Sequence, residues 1–375
     1  MKKIAKMSLV AAMAISGLTG ASAADLTEAI KGVKVSGFIS YTTEKVKGDD
    51  FGKNDQEANR DLDVRLQAVI PVNDMVTATI RFDENGDTAV NSESLQMEID
   101  RAFFTYKNSG YQADFGLIGL PLTDGGQGDG IIVSKDFGVA KLSAGYFYSI
   151  GATKVNGTKT ANNGSDEFAF VSVNGSVAPV SYYATYGTRI DDKNSTDVGT
   201  STTDNEADML HAGLSGSIEM VTLAVDYSKK SGMVNREDQD QVKVSIGADL
   251  GVVNVGLAYA ANDKKGGKTM LDEADTAASN ISVSSLELDS LGDASAIQFD
   301  ISGNINETNK LAFTYAASDV EVASGAASTD QDVFKFTYTN MMSKNFSLFA
   351  NYEINDKDDE TDKRTELTLG AVYSF

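Results

Sequence analysis

The stretch that decides the fold is residues 61–70, which read Asp61-Leu62-Asp63-Val64-Arg65-Leu66-Gln67-Ala68-Val69-Ile70. Every second side chain from Leu62 onward is apolar, and the positions between are polar as far as Gln67. Successive side chains of a β-strand point to opposite faces, so this period of two predicts a strand with one apolar and one polar face. The same alternation recurs in residues 221–227 and 242–249.

Similar runs along the rest of the chain predict eighteen strands, with sixteen as the alternative count. Their ranges are 33–45, 60–71, 75–84, 94–107, 111–118, 129–134, 138–150, 166–177, 180–190, 206–218, 220–230, 238–249, 252–262, 294–303, 309–320, 331–340, 345–355 and 364–375. No linker divides these runs. The sequence therefore predicts one all-β unit.

The connections between the predicted strands alternate in length. The long ones are 46–59, 85–93, 119–128, 151–165, 191–205, 231–237, 263–293, 321–330 and 356–363. The gaps between them are tight turns such as 72–74 and 108–110. Outer-membrane barrels have short periplasmic turns and long extracellular loops, and a sheet in hydrocarbon must close so that no backbone group is left unpaired. Residues 33–375 are therefore predicted to form a transmembrane antiparallel β-barrel.

Composition excludes several classes of function. The 375 residues include no cysteine, so disulfides, zinc-thiolate sites and catalytic thiols are excluded. The formal charge of -22 opposes binding to a nucleic-acid backbone, and no nucleic-acid partner is expected. The three prolines are few, as strand ladders that use every N–H group require.

The first residues have the pattern of an export signal. A basic segment 1–6 precedes an apolar run, and Ala21-Ser22-Ala23 supplies the small residues of a cleavage site. We expect a signal peptide over residues 1–23, whose removal takes three lysines and changes the formal charge from -22 to -25. Residues 24–32 are expected to form a short periplasmic segment with a helical start. No later stretch reaches the roughly 18 apolar residues of a membrane helix.

The C-terminal strand has a further signature. Leu367, Leu369, Ala371 and Tyr373 share the apolar phase with the terminal Phe375. This pattern resembles the C-terminal signal by which the outer-membrane insertion machinery recognises barrels. We therefore predict that Tyr373 and Phe375 act as the assembly signal.

Three segments resemble the Campylobacter-type major outer membrane protein porins. They are residues 24–37, the run Arg101-Ala102-Phe103-Phe104-Thr105-Tyr106, and the loop from Leu122-Thr123-Asp124 to Asp129-Gly130. The resemblance covers about the first 150 residues. It implies an 18-stranded, trimeric general porin in the outer membrane of a Gram-negative bacterium.

The polar phase predicts the pore lining, because an 18-stranded barrel is too wide for its side chains to fill. Three neighbouring strands place Arg65, Arg81 and Arg101 inward at similar depth, which predicts a basic stripe. Loop 119–128 is predicted to fold inward, as the third loop of general porins does, and to bring Asp124 and Asp129 close to it. A basic wall facing an acidic loop would set a transverse field across the constriction.

Two features of this region leave alternatives open. Each arginine could instead pair with Asp63, Asp83 or Asp100 and only neutralise the wall. The apolar phase before Asp100 also disagrees with the phase after it, which predicts a β-bulge near Asp100-Arg101 that could redirect Arg101.

Metal and enzyme sites have weak support. Asp124 and Asp129 are the best candidates for a structural calcium site, against a simply solvated loop; no other cofactor is expected. Residues 125–130 are glycine-rich but lack the Gly-Lys-Ser/Thr ending of a phosphate loop. His211, the one histidine, lies on the inward phase, and we expect no enzyme activity.

Three classes of function remain. The first is a porin for passive diffusion of small hydrophilic solutes, working as a homotrimer in contact with lipid and lipopolysaccharide. The second is a substrate-specific channel, which an aromatic or basic track inside the pore would indicate; the inward Phe38, Phe147 and Phe349 are scattered in the sequence. The third is a surface adhesin or structural protein that uses the long loops. Loop 263–293 would suit a lid, a subunit contact or an exposed segment.

We predict mild cation selectivity, because acidic pairs such as Asp49-Asp50 and Asp191-Asp192 fall in the predicted extracellular loops. Negative charge at the mouth raises the local concentration of cations. The reversal potential of the purified protein in a salt gradient should show cation preference, and anion preference would contradict the prediction.

Overall fold

The structure is a computed structural model that describes residues 32–48, 57–84, 97–122, 126–150, 167–190, 206–232, 238–263, 293–320, 330–357 and 363–375. The predicted signal peptide and residues 24–31 lie outside the described residues, as do most of the long loops. Among the described residues, no helix has the length and apolar composition needed to cross a membrane.

Eighteen β-strands make up the described chain, as the alternation predicted. They are β1 (Lys34–Lys47), β2 (Glu57–Pro71), β3 (Val76–Glu84), β4 (Met97–Asn108), β5 (Tyr111–Gly119), β6 (Gln127–Asp136), β7 (Ala140–Ile150), β8 (Glu167–Val177), β9 (Val180–Ile190), β10 (Ala207–Ile218), β11 (Val221–Ser231), β12 (Gln239–Asp249), β13 (Val253–Asn262), β14 (Ala294–Asn304), β15 (Asn309–Val320), β16 (Gln331–Ser343), β17 (Phe346–Lys357) and β18 (Arg364–Ser374). The count of eighteen is confirmed.

The strands close into a barrel. Each strand pairs antiparallel with its neighbours in the chain, and β18 returns to pair with β1 from Phe38 opposite Ser374 to Lys47 opposite Thr365. At the seam, the N–H of Gly37 donates to the carbonyl of Phe375 at 3.0 Å, and the N–H of Phe375 donates back at 3.0 Å. Closure leaves no strand edge, which is what a sheet in hydrocarbon requires.

Alternation along the strands separates the two faces of the barrel. Leu223, Ile246 and Leu257 lie side by side on three neighbouring strands, and each side chain is about half exposed on the outer face. The side chains of the adjacent residues on the same strands, such as Ser245, face the inside of the barrel. A continuous band of exposed apolar side chains is stable only against lipid, so the outer face is the membrane-facing wall.

The short turns at one rim of the barrel are tight, and the turn between β4 and β5 shows why. Ser109 and Gly110 both adopt positive φ, at 48° and 77°. Two successive residues with positive φ form a type I′ turn, whose twist matches that of a two-stranded antiparallel hairpin. Residues 109–110 therefore reverse the chain directly from β4 into β5.

The predicted bulge in β4 is present. Arg81 of β3 lies opposite Arg101, whereas the next residue, Phe82, lies opposite Ile99, so Asp100 is the extra residue. The bulge brings Ile99 and Phe104 onto the same outer face, where both are exposed. It also places Asp100 and Arg101 together on the inner side.

A charge on the outer wall should destabilise the barrel, and a charge on the inner wall should not. We predict that Val244→Lys, at the middle of β12 and exposed on the same outer face, lowers the free energy of unfolding by about 2–4 kcal/mol, the cost of a lysine facing the middle of a bilayer. The matched control is Ser245→Lys, one residue away on the inner phase, which should change stability little. Urea unfolding in lipid vesicles checks this, and equal effects of both substitutions would contradict the assignment of faces.

Candidate functional site on the inner wall

The three predicted arginines come together on the inner wall of β2, β3 and β4. Arg81 lies directly opposite Arg101, and Gln67 lies opposite Arg81 on its other side. Arg65 lies between Phe38 of β1 and Asp83 of β3, with its guanidinium 5.3 Å from the centre of the Phe38 ring. The basic stripe therefore exists as a row on neighbouring strands.

Two of these arginines are paired with carboxylates. Arg65 donates to Asp83 Oδ2 from Nη2 at 2.6 Å and from Nε at 3.0 Å. Arg81 donates from Nε to both oxygens of Asp100, at 3.0 and 2.8 Å, and forms an ion pair with it. Charge-assisted bonds of this geometry are among the stronger ones in proteins. These contacts match the alternative in which the arginines pair with nearby carboxylates and neutralise the wall. The position of Arg65 and Arg81 at the constriction stays a prediction.

Arg101 has a different environment, because the bulge turns it toward the connection between β5 and β6. Its Nη1 donates to the side-chain oxygen of Gln127 at 3.2 Å and to the carbonyl of Asp100 at 3.2 Å. At Gly119, a Cβ atom would lie only 3.2 to 3.4 Å from the Arg101 guanidinium. Since Gly119 ends β5 and Gln127 begins β6, Arg101 contacts both stems of this connection.

The connection itself is shorter than the predicted loop 119–128. It comprises residues 120–126, closed by a hydrogen bond from the N–H of Leu120 to the carbonyl of Gly126 at 3.0 Å. Asp124 lies outside the described residues. Asp129 lies within β6, opposite Leu117 of β5 and Ser149 of β7. It is two residues before Ile131, whose side chain is exposed on the outer face, so strand alternation places both on the same face. The pairing of Asp124 with Asp129 in a calcium site stays a prediction.

An apolar cluster on the inner wall was not predicted. Phe147, Phe168 and Phe170 contact one another with ring centroids 6.1 to 6.3 Å apart, and all are buried. Val171 of β8 is exposed on the outer face. Because successive side chains of a strand point to opposite faces, the neighbouring Phe170 and Phe168 face the inside of the barrel. The buried members of this inner cluster are Ile118, Leu122, Phe147, Ile150, Phe168, Phe170 and Met209, with Phe103, Leu120 and Ile132 packed against them.

The sequence contained a signal for this cluster. Phe168 and Phe170 occupy the inner phase of predicted strand 166–177, whereas lumen positions are ordinarily polar. Of the three phenylalanines in this cluster, only Phe147 was predicted to face inward, and it appears isolated in the sequence because its partners lie on the next strand. Phe147 is thus clustered with Phe168 and Phe170, whereas Phe38 and Phe349 are not part of the cluster. Phe147 and Phe168 are fully buried and offer no face to a passing solute.

Several inner aromatic rings lie against glycines of the neighbouring strand. The cross-strand pairs are Phe147 with Gly130, Phe170 with Gly145, Tyr183 with Gly213, and Phe349 with Gly370. At each of these glycines, a Cβ atom would overlap the ring. The absence of a side chain lets each ring pack against the wall instead of projecting into the lumen.

A polar group lies beside this region on β9 to β11. The Tyr183 hydroxyl donates to Asp226 and lies 2.9 Å from Nε2 of His211, with the two rings in edge-on contact. Further around the wall, Lys335 pairs with Glu353 at 3.4 Å, and Asp300 accepts from Thr314 at 2.6 Å. These four charged side chains, Asp226, Lys335, Glu353 and Asp300, are therefore held in local polar networks.

Within the described part of the chain, no group of three or more His, Cys, Asp or Glu side chains is arranged to hold a metal ion. Asp83 and Asp100, the carboxylates of the arginine row, are each paired with an arginine. The polar groups described on this wall are charged and hydrogen-bonding side chains, which suit contact with water and polar solutes.

Comparison with known proteins agrees with the geometry. The chain matches the family model described as Gram-negative porin over residues 8–360. No curated protein matches the chain in sequence. Among solved structures it is similar to OpdL of Pseudomonas aeruginosa, with 12% identity, a TM-score of 0.67 and coverage of 92% of this chain and 99% of that chain.

Two further structures share the fold. OccK8 (OprE) of Pseudomonas aeruginosa has 13% identity and a TM-score of 0.66, covering 92% of this chain and 99% of its own. OccAB4 of Acinetobacter baumannii has 10% identity and a TM-score of 0.63, covering 91% of this chain and 98% of its own. At these low sequence identities, the similarity shows that the proteins share a fold.

Removing a carboxylate from the arginine row should expose positive charge to the lumen. We predict that Asp100→Asn shifts the reversal potential toward anions and lowers barrel stability by at most about 1.5–3 kcal/mol, the range for hydrogen bonds to charged groups. The control is Asp332→Asn, which removes the same charge from an exposed partner of Tyr315 on the outer face. The same shift in both variants would contradict a local effect on the lumen.

Proposed function

Since the chain belongs to the Gram-negative porin family, and is therefore a β-barrel of the outer membrane, we propose that it is a general diffusion porin. It forms a water-filled channel through which small hydrophilic solutes and ions pass down their concentration gradients. We also propose the finer placement among Campylobacter-type major outer membrane proteins, which rests on the sequence resemblance of the first part of the chain.

The observation that carries this proposal is the packing of inward aromatic rings against the wall. A channel that guides one class of solute needs an exposed track of binding groups along the lumen. Phe147 and Phe170 are buried on glycines instead. Arg65 and Arg81 are paired with carboxylates, which lowers their attraction for anions. In the described part of the wall, Phe147 and Phe170 offer no exposed track to a passing solute, which supports unselective passage.

A substrate-specific channel is the second candidate. The adjacency of Arg65, Arg81 and Arg101 on three strands favours it, because a row of cations could bind successive positions of an anionic solute. The ion pairs to Asp83 and Asp100 argue against it. An adhesin or structural role would depend on the long loops, which are mostly outside the described residues.

Selectivity and assembly are part of the proposal. The acidic chain, at -25 after loss of the predicted signal peptide, supports mild preference for cations. We propose a homotrimer in contact with lipid and lipopolysaccharide, assembled by the insertion machinery that reads Tyr373 and Phe375. In the structure the rings of these two residues stack with centroids 5.9 Å apart.

Planar bilayer recording tests the proposal directly. Purified protein should give large currents that are linear in voltage and appear in groups of three equal steps. Added sugars, amino acids or carboxylates at millimolar concentration should not block the current. Saturable block by one class of solute would favour the substrate-specific channel, and absence of conductance in a folded barrel would favour a structural role.

A further inference from the structure

Two neighbouring hairpins at the rim formed by the short turns enclose a polar cavity. The β4–β5 hairpin closes where Asn108 lies opposite Tyr111, and the β6–β7 hairpin closes where Asp136 lies opposite Lys141. The N–H of Asp136 donates to the carbonyl of Gly110 at 3.0 Å, which joins the two turns. The cavity has a volume of about 340 Å³. This volume is near the lower end of the roughly 300–1,000 Å³ found for small-molecule sites.

The polar side chains that line this cavity come from the inner face of four strands. Lys107 of β4 lies opposite Gln112 of β5, which in turn lies opposite Ser134 of β6. Lys141 of β7 precedes Leu142, whose side chain is exposed on the outer face, so Lys141 faces the inside of the barrel. In strand order, an amide and a hydroxyl therefore lie between two ammonium groups.

Both lysines of this cavity lack an ionic partner. Among the described residues, neither the Lys107 nor the Lys141 ammonium group forms an ion pair or a hydrogen bond. Elsewhere on the inner wall, by contrast, Lys335 Nζ lies 3.4 Å from Glu353 Oε2. Two cations that line one cavity repel each other, and a bound anion would offset that repulsion.

Two carboxylates of the same strands are already held by hydrogen bonds within the wall. Asp114 accepts from the Thr105 hydroxyl at 2.5 Å and from the Gln112 amide at 2.7 Å. Asp136 accepts from the N–H of Gly138 at 2.7 Å, as an aspartate at the start of a turn does. The groups that remain for a ligand in this cavity are therefore mainly hydrogen-bond donors.

We propose that this cavity binds a phosphate group, either inorganic phosphate or that of a small phosphate ester inside the barrel. A phosphate monoester carries a charge of about −1.5 to −2 at neutral pH and three strong acceptor oxygens. Lys107 and Lys141 supply the positive charge, and Ser134 and Gln112 supply neutral donors. A carboxylate has one charge and two oxygens, so it would satisfy fewer of these groups. The site lies against the wall at one rim, and its occupancy changes the local charge without blocking the lumen.

The first experiment measures binding to the purified barrel in detergent. Calorimetric titration with inorganic phosphate at constant ionic strength should show saturable binding that acetate does not reproduce. Lys141→Gln should weaken phosphate binding about fivefold, the scale of one partly exposed charge interaction, and the double variant with Lys107→Gln should weaken it more than about tenfold. Lys141→Arg keeps the charge and should retain binding.

The matched control is Lys310→Gln. Lys310 lies at the start of β15, opposite Asn304 and Thr339, beside a short turn of the same rim. It precedes the outward Leu311 and so faces the inside, but it does not line this cavity. Phosphate binding to Lys310→Gln should equal that of the wild type. Equal weakening in Lys310→Gln and Lys141→Gln, acetate binding as tight as phosphate binding, or the absence of saturable phosphate binding would overturn the proposal.

The second experiment measures the effect of bound phosphate on ion selectivity. A bound phosphate offsets the positive charge at this rim, so a low concentration of phosphate in a KCl gradient should shift the reversal potential toward cations. The shift should persist in Lys310→Gln and disappear in the double variant Lys107→Gln/Lys141→Gln. This measurement rests on the proposed channel function, whereas the calorimetry does not. Phosphate binding in a barrel without conductance would support the site and refute the porin proposal, and conductance without phosphate binding would do the reverse.

Discussion

The rest of this structure depends on the need to pair every backbone N–H and C=O group in a medium without water. Hydrocarbon offers no alternative partner, so the sheet must close, and β18 meets β1 up to the last residue. Closure with eighteen strands then makes the inside too wide for wall side chains to fill. The antiparallel pairing of neighbouring strands and the pairing of the last strand with the first follow from that one requirement.

The inner wall meets a different requirement, which is to stay polar and open. Arg65 and Arg81 are paired with Asp83 and Asp100, which offsets part of the positive charge of the arginine row. Aromatic rings pack on glycines of the next strand, as Phe349 does on Gly370. One of the two buried apolar clusters in the described part of the chain lies around Phe168 and includes Leu122 of the connection between β5 and β6. The inner wall therefore lines the channel and also contacts Leu122 of the connection between β5 and β6.

Much of the fold could be predicted because its signals are local. Strand alternation, turn residues and the phase break at Asp100 each span a few residues, and the structure contains the corresponding strands and bulge. The arginine row was also predictable, since neighbouring strands in a meander pair side by side. The partner of Arg101 was not, because Gln127 becomes its neighbour only after the bulge redirects the side chain. Asp124 and the long loops lie beyond the described residues.

Alternation and turn spacing in the linear chain were enough to determine the strand number, the closure and which side chains face lipid, because these depend on backbone geometry and solvent alone. The tertiary structure decided how the inner wall is organised. Phe147, Phe168, Met209 and Leu122 are far apart in sequence and come together only when β5 to β10 are aligned in register. Contacts between side chains of different strands depend on that register and on the space left by glycines of the neighbouring strand. Neither can be read from the sequence of one strand alone.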